Sequence, residues 1–535
     1  MFRCTAEMPT VFARRPILPF LCGFQLFALV CSVARAIDDQ PETIAGQSVR
    51  VQLMLEATVV TFELTADGTV TSGNHAVSLA PGRYRVSMSG TKPASQRFLL
   101  FAKTFEPSET VEEMAFIEEW RAKGYSPEVC VVGKLFSSQN GKLLDGRSRW
   151  VTIFQSTAEA AAKKKKLELE RTNQWTWIVA ERIELGSGML TITGATGKEA
   201  AQTAAPLRLE SGSPVVLANV ELGYWESRKE KVAYDGPFEF GVGPTGKLEA
   251  IQEVEVERYL KGVLPAEMPS SWPAEALEAQ AVAARSEVLA SMGTKHSFEG
   301  FDFCSLEHCR AYRGASGRQL TTDAAVDATL GEILVEGGRI VPAVFSSNCG
   351  GWTASNETPW RAPADPALRA ISDELKPNRK APVARGLAEW LGHPPDAYCA
   401  NDDSGYRWRR TFSEQELRAI VNKQYAVGRI RDILPGDRGP CGRLLSVQIV
   451  GDKATKTVEK ELPIRRVFGG LLSSMFTVNI ERQVGSIKNV AFVGGGRGHG
   501  VGLCQYGAKG MADRKLGHEA ILKHYFAAAH LETYH

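Results

Sequence analysis

Beyond residue 33 the sequence has no apolar run long enough to span a bilayer, which excludes a chain threaded through a membrane by later helices. It has almost no net charge: +2 over 535 residues, with 63 basic against 61 acidic side chains. So balanced a chain carries no electrostatic footprint for general nucleic-acid binding. It has no internal repeat, so a solenoid or propeller array is excluded. It has no HExxH helix, so a catalytic metal of that kind lacks both ligands and base. Its one glycine-rich run, "GGGRGHGVGLCQYGAKG", lacks the Gly-Lys-Ser/Thr ending of a nucleotide P-loop.

What is present reads as an exported, globular protein. Hydrophobic residues make up 44% of the chain, enough to build real cores, and the length predicts two or three domains. Arg14 and Arg15 precede the apolar stretch "PILPFLCGFQLFALVCSV", and Ala34-Arg35-Ala36 fits a small-x-small cleavage site. Residues 1–36 are therefore predicted to be a cleavable signal peptide for export. Without Arg3, Arg14, Arg15, Arg35 and Glu7 the remainder holds 59 basic and 60 acidic residues. Of ten cysteines, seven remain: Cys130, Cys304, Cys309, Cys349, Cys399, Cys441 and Cys504. Seven cannot all pair within one chain. Disulfides and a metal site compete for them, with Cys349 and Cys399 candidates for a disulfide.

Residues 37–95 alternate apolar and polar positions, as in "SVRVQLMLEATVVTFELTADG", and predict short antiparallel strands. Residues 96–195 predict strand, helix, strand, strand, helix. The first helix, "SETVEEMAFIEEWRAKGY", has Ser108 as expected N-cap and Gly124 as stop. This small α+β module resembles the SPOR domain, which binds peptidoglycan glycan strands. The lysine run Lys163–Lys166 reads as a solvated helix face. Residues 196–213 read as a linker, and strands resume from 214.

One acid stands out. Glu267 lies between Pro265 and Pro269 in "VLPAEMPSSWPAEALEAQAVAARS", and is expected in a turn just before a helix that starts at Pro273. In that helix Leu277, Ala281, Ala284 and Val288 share a stripe whose small alanines allow close packing, with Arg285 on another side. A carboxyl in an apolar turn near Met268 and Trp272 is expected to hold its proton more tightly than in water, as a general acid must.

Two long stretches in order carry a wider resemblance. "YDGPFEF…VEVERYLKGVLPAEMPSSWPAEALEAQAVAARS" resembles the core of the SpoIID/LytB family, and "GGGRGHGVGLCQYGAKGMA" resembles its second signature. "DAAVDATLGEILVEGGRIVPAVFSSNCGGWT" and "IRRVFGGLLSSMF" match the region between. The resemblance covers about residues 230–530. It implies an α+β, strand-rich catalytic domain over 214–535 with a central active-site helix. It also implies a peptidoglycan lytic transglycosylase, a carbon–oxygen lyase that cuts MurNAc–GlcNAc bonds in denuded glycan strands. Such chemistry leaves 1,6-anhydroMurNAc ends and needs only one carboxyl, because the sugar's own 6-hydroxyl attacks. The resemblance assigns Glu267 as general acid and base and Arg285 as an activity-determining arginine, either holding the lactyl carboxylate or paired with Glu278 or Glu287 on the helix surface. The alternative is a non-catalytic glycan-binding protein that stimulates a cell-wall amidase. A zinc hydrolase of the envelope is a third reading.

In the glycine loop His499, Gln505 and Tyr506 offer a hydrogen-bonding ring, an amide and an aromatic face suited to sugars. They either touch substrate or brace the loop against Glu267. In "KHSFEGFDFCSLEHCRAY" the spacing is not that of a zinc finger, and a Cys304–Cys309 disulfide competes with a metal. The resemblance implies that His296, Cys304 and Cys309 hold a structural zinc, with His308 a substitute or fourth ligand.

Overall fold

The computed structural model describes residues 41–138, 141–172, 174–222, 228–294, 296–306, 309–360, 362–376, 380–401 and 405–534. The expected signal peptide and His308 lie outside the described residues. Residues 39–535 form one compact unit. The class is α+β, with mixed sheets and helices.

The first half is built on two facing β-sheets whose strands come from both sides of a long insertion. One sheet runs, in spatial order, Phe303–Cys304, Ser48–Ala57, Leu248–Glu255, Phe238–Val242, Leu207–Ser211, Gly68–Ser72 and His75–Leu79. The other runs Glu199–Ala204, Ser187–Gly194, Gly82–Lys92, Val59–Leu64, Val215–Leu222 and Arg228–Tyr234. The period of two reads directly onto burial: Val60, Phe62 and Leu64 point inward while Val59, Thr61 and Glu63 are only half-buried. The expected linker at 196–213 is instead two strands, one in each sheet. An expected boundary at 213/214 would likewise cut sheets in two, since Val51 pairs with Gln252 and Glu63 with Val216. Alanine-rich "EAAQTA" has too little apolar character to announce a strand; its partner Ser187–Gly194 supplies the ladder.

The insertion is a βαββαβ unit. Its four strands stand in the order fourth, first, third, second: Trp177–Glu184, Ser95–Phe105, Ser148–Ser156 and Glu128–Val132, all antiparallel. Its helices are α1 (Thr110–Ala122) and α2 (Glu159–Glu170). Glu109, not Ser108, takes the N-cap position of α1, and Gly124 stops the helix with φ +85°. The unit does not stand apart as a separate module. Phe298, from the later half, packs into the cluster of Leu99, Phe101 and Val132 on the sheet.

Two helices follow, α3 (Val256–Glu267) and α4 (Ala274–Ser291). Glu267 is thus the last residue of a helix rather than part of a free turn, and Pro265 sits inside that helix. The helix starts at Ala274, one residue later than expected, and Pro273 is its N-cap, with φ −55° and ψ 142°. Burial of α4 goes beyond one stripe: Ala279, Gln280, Val282, Ala283, Arg285 and Ser286 are buried as well. A helix buried all round is a core element. A short helix, α5 (Leu320–Ala328), packs against α4.

The last part has its own core, built from Trp408, Leu417, Val447, Phe468, Phe476 and Phe492 among others, around two three-stranded antiparallel sheets. The glycine run follows, and ends in α6 (Gln505–Ala512).

Candidate functional site

Four side chains meet where α3 ends and α6 begins. The Gln505 side-chain amide donates to the Glu267 backbone oxygen at 3.1 Å and stands 3.4 Å from Gln280 Oε1 on α4. The Tyr506 ring meets Trp272 edge-on, 4.9 Å between centroids, while its backbone N–H bonds Ser347 O at 3.0 Å. Glu267, Gln505 and Tyr506 therefore come together, joined by Trp272 and Gln280, whose roles the sequence did not announce. An aromatic face beside side-chain amides is a set that binds sugar rings by stacking and hydrogen bonding.

His499 takes a different place. Its Nδ1 accepts from Val501 N–H at 3.1 Å and its ring lies 5.0 Å from Trp360. Nε2 therefore carries the proton when the ring is neutral. Burial, helped by the Arg443 charge, holds the imidazole down at about 4. His499 thus supports the loop as a neutral ring. In the unfolded chain it takes a proton near pH 6.5, in the folded one only near 4. Stability therefore falls as pH drops from about 6.5 to 4, by up to roughly 3 kcal/mol, and this loss is absent above 6.5. In urea melts across that window, His499→Gln is expected to flatten the decline by that amount; an unchanged slope would show that the ring already titrates freely.

Gly496, Gly498, Gly500 and Gly502 all have positive φ, between +68° and +93°. Their close approach is to protein, not to open space. A Cβ on Gly500 would overlap the Arg443 guanidinium, and one on Gly502 the Val344 carbonyl oxygen.

Arg285 is not part of this cluster. Its side chain is 0% exposed and forms a bidentate pair with Glu257 of α3, Nε to Oε1 at 2.7 Å and Nη2 to Oε2 at 2.8 Å. Nη1 donates to Glu332 O at 3.1 Å and Thr329 Oγ1 at 3.4 Å, and Nη2 to Val326 O at 3.2 Å. These bonds use all five N–H groups. Neither expectation for Arg285, a lactyl-carboxylate ligand or a surface pair with Glu278 or Glu287, describes this arrangement. The arginine locks α3, α4 and α5 together.

Three clusters of metal-ligating atoms lie in the described residues, one of them Glu275 and Glu278 of α4 with His518. His296, Cys304 and Cys309 converge, with His296 Nε2 3.3 Å from Cys309 Sγ and the Cys304 N–H 3.3 Å from the same sulfur. Glu299 Oε1 stands 2.6 Å from His296 Nδ1, the outer contact that orients a ligating histidine. The third cluster, Cys349, Asp373, Cys399 and Cys504, is wholly buried and can chelate a metal ion.

Comparison with known proteins places this region in a family context. Residues 244–335 match the family described as Stage II sporulation protein, SpoIID, and residues 354–502 match a domain of unknown function. Both lie outside the βαββαβ unit. The chain is 28% identical over 286 residues to an uncharacterized protein of Brachyspira hyodysenteriae, covering 53% of this chain and 68% of that one. It is 25% identical over 296 residues to the amidase enhancer of Bacillus subtilis, covering 51% of this chain and 40% of that protein. It is also 25% identical over 296 residues to stage II sporulation protein D of the same organism, covering 52% and 74%. The chain is homologous to SpoIID/LytB-family proteins. The expectation of an independent lytic transglycosylase is overturned here. The named relatives are an enhancer of an amidase and a sporulation-stage protein, and neither points to a carbon–oxygen lyase. The burial of Arg285 removes its expected ligand role as well.

Proposed function

We propose that this protein is a non-catalytic, glycan-binding accessory factor that stimulates a cell-wall amidase. The observation that carries the reading is the similarity to an amidase enhancer over 51% of this chain, beside a cluster in which Trp272, Tyr506 and Gln505 meet at the end of α3. An accessory role needs a sugar-binding face and no acid of tuned proton affinity. Peptidoglycan strands are its ligand and the bacterial envelope its location. Trp175, 53% exposed at the edge of the βαββαβ unit, stacks on Trp177 and carries Lys460 Nζ over its ring, 4.2 Å from the centroid; this aromatic and cationic edge is where a SPOR-like contact to glycan would fall. His296, Cys304 and Cys309 are the residues that would hold a zinc ion. Their two sulfurs and one oriented imidazole suit that metal, which would act as a staple for the loop.

The test measures release of stem peptides from peptidoglycan by a cell-wall amidase of the host bacterium, with and without this protein. Stimulation is expected with wild type and equally with Glu267→Gln, and is expected to fall about thirtyfold with Trp272→Ala plus Tyr506→Ala, since each ring contributes about 1 kcal/mol. Sedimentation with denuded strands should show the same order. If the wild-type protein neither stimulates nor sediments with glycan, the reading is wrong.

A further inference from the structure

We propose that Cys349, Cys399, Cys504 and Asp373 form a tetrahedral zinc site that staples the glycine loop to the body of the protein. The site is separate from His296, Cys304 and Cys309, and it does not depend on the function proposed above.

The four ligands come from four segments. Cys349 follows the two-residue strand Phe345–Ser346, and Cys399 lies in the single turn Tyr398–Asn401. Cys504 ends the strand Leu503–Cys504, and Asp373 lies between Ser372 and Glu374. Cys504 is 1% exposed and the other three 0%. One donor atom from each lies within 4.8 Å of all the others.

The spacing separates a metal from a disulfide. Cys349 Sγ and Cys399 Sγ are 3.6 Å apart. A disulfide needs about 2.0 Å. Two thiolates on one tetrahedral zinc, each with a bond of about 2.3 Å, stand about 3.8 Å apart. The expected Cys349–Cys399 disulfide also leaves a third sulfur, Cys504, beside the bond, together with a buried carboxylate.

Charge points the same way. Asp373 accepts from Tyr525 O–H at 2.6 Å and from Cys399 N–H at 3.0 Å, and the nearest cationic candidate, His524, is 3.7 Å away. A wholly buried carboxylate without a firm counter-charge is costly. A divalent cation between Asp373 and three thiolates provides that charge. Cys504 Sγ accepts backbone N–H groups from Cys349 at 3.1 Å and Gly507 at 3.4 Å, the outer hydrogen bonds that metal thiolates receive. Three sulfurs exclude calcium and magnesium, which take oxygen ligands, and favour zinc among common divalent ions.

The placement gives the metal a task. Cys504 caps α6, and the next two residues are Gln505 and Tyr506, which touch Glu267 and Trp272. A metal on Cys504 fixes the position of both.

The experiment uses the full chain purified without reductant, with metal content measured by plasma mass spectrometry. The Cys304→Ser variant, which disables the other cluster, is expected to keep one zinc per chain. Cys304→Ser plus Cys399→Ser is expected to keep none. Because the double variant can fail to fold, thiols are also mapped on the wild type after denaturation in chelator and alkylation. Cys349, Cys399 and Cys504 are expected all to be alkylated, with zinc released in step. A cross-linked Cys349–Cys399 peptide in near-stoichiometric yield overturns the proposal, as does a folded Cys304→Ser protein with free thiols and no metal.

Discussion

Arg285→Ala is expected to cost the fold about 3–5 kcal/mol, the largest loss from any single side chain considered above. The change removes five satisfied N–H groups from the core and leaves the Glu257 carboxylate facing an unpaired site. Tyr534, whose hydroxyl donates to Glu257 Oε1 at 3.2 Å, is the one described hydrogen-bonding neighbour left to it. Urea unfolding followed by circular dichroism reads the loss directly. A second variant separates structure from ligand binding. Arg285→Met combined with Glu257→Leu replaces the pair by apolar side chains of similar bulk, and such replacements are often neutral or stabilising. The double variant should regain most of the lost stability and should still sediment with glycan strands. If it is stable but no longer binds glycan, Arg285 has a role in recognition that its buried position does not suggest.

Gly502→Ala is expected to destabilise by about 3 kcal/mol. A side chain at φ +68° costs roughly 1–2 kcal/mol, and overlap with the Val344 carbonyl oxygen adds roughly 1–3 because backbone on both sides is fixed by hydrogen bonds. Leu503 N–H bonds that same carbonyl at 3.1 Å, so neither partner can move away cheaply. Gly485 is the control. It has φ +73° and nothing within 4 Å of an added Cβ, so Gly485→Ala pays only the conformational part. Comparable losses in the two variants would mean that the loop yields where the structure has it packed.

Much of the architecture was legible because it follows from local pattern. Alternation marked the strands of 48–92, and alanine spacing with Pro273 marked α4 to within a residue. What was not legible depends on partners distant in sequence. Glu257 carried no sign that it pairs with Arg285, because the pairing arises only when α3 and α4 pack. Likewise Asp373 sits 24 residues beyond Cys349, in a loop with no motif, and joins the cysteines only through the fold. The turn expected around Glu267 rested on its prolines, but Pro265 fits the last turn of α3 and did not end it earlier. What Gly500 and Gly502 accommodate was hidden for a related reason: glycine permits close approach by anything, and here the approaching groups are Arg443 and Val344. Residue types suited to sugars were visible from the start. That similar relatives point to helping an amidase rather than to cutting glycan could not be read from those types, since binding and cleavage draw on the same side chains.

The strand Ser48–Ala57 lies between two neighbours made much later: Val51 pairs with Gln252 on one side and with Phe303 on the other. At ribosomal speeds of about 5–20 residues per second, the first of those partners is synthesised roughly 10–40 s after the strand itself. Closing such long loops also slows the search for native pairing once the chain is free. During that interval Val49, Val51 and Leu53, all buried in the finished protein, are exposed on a growing chain. Until residue 304 has been made, the strand lacks one or both neighbours and offers an unpaired edge to other chains, so its sheet closes no earlier than midway through synthesis.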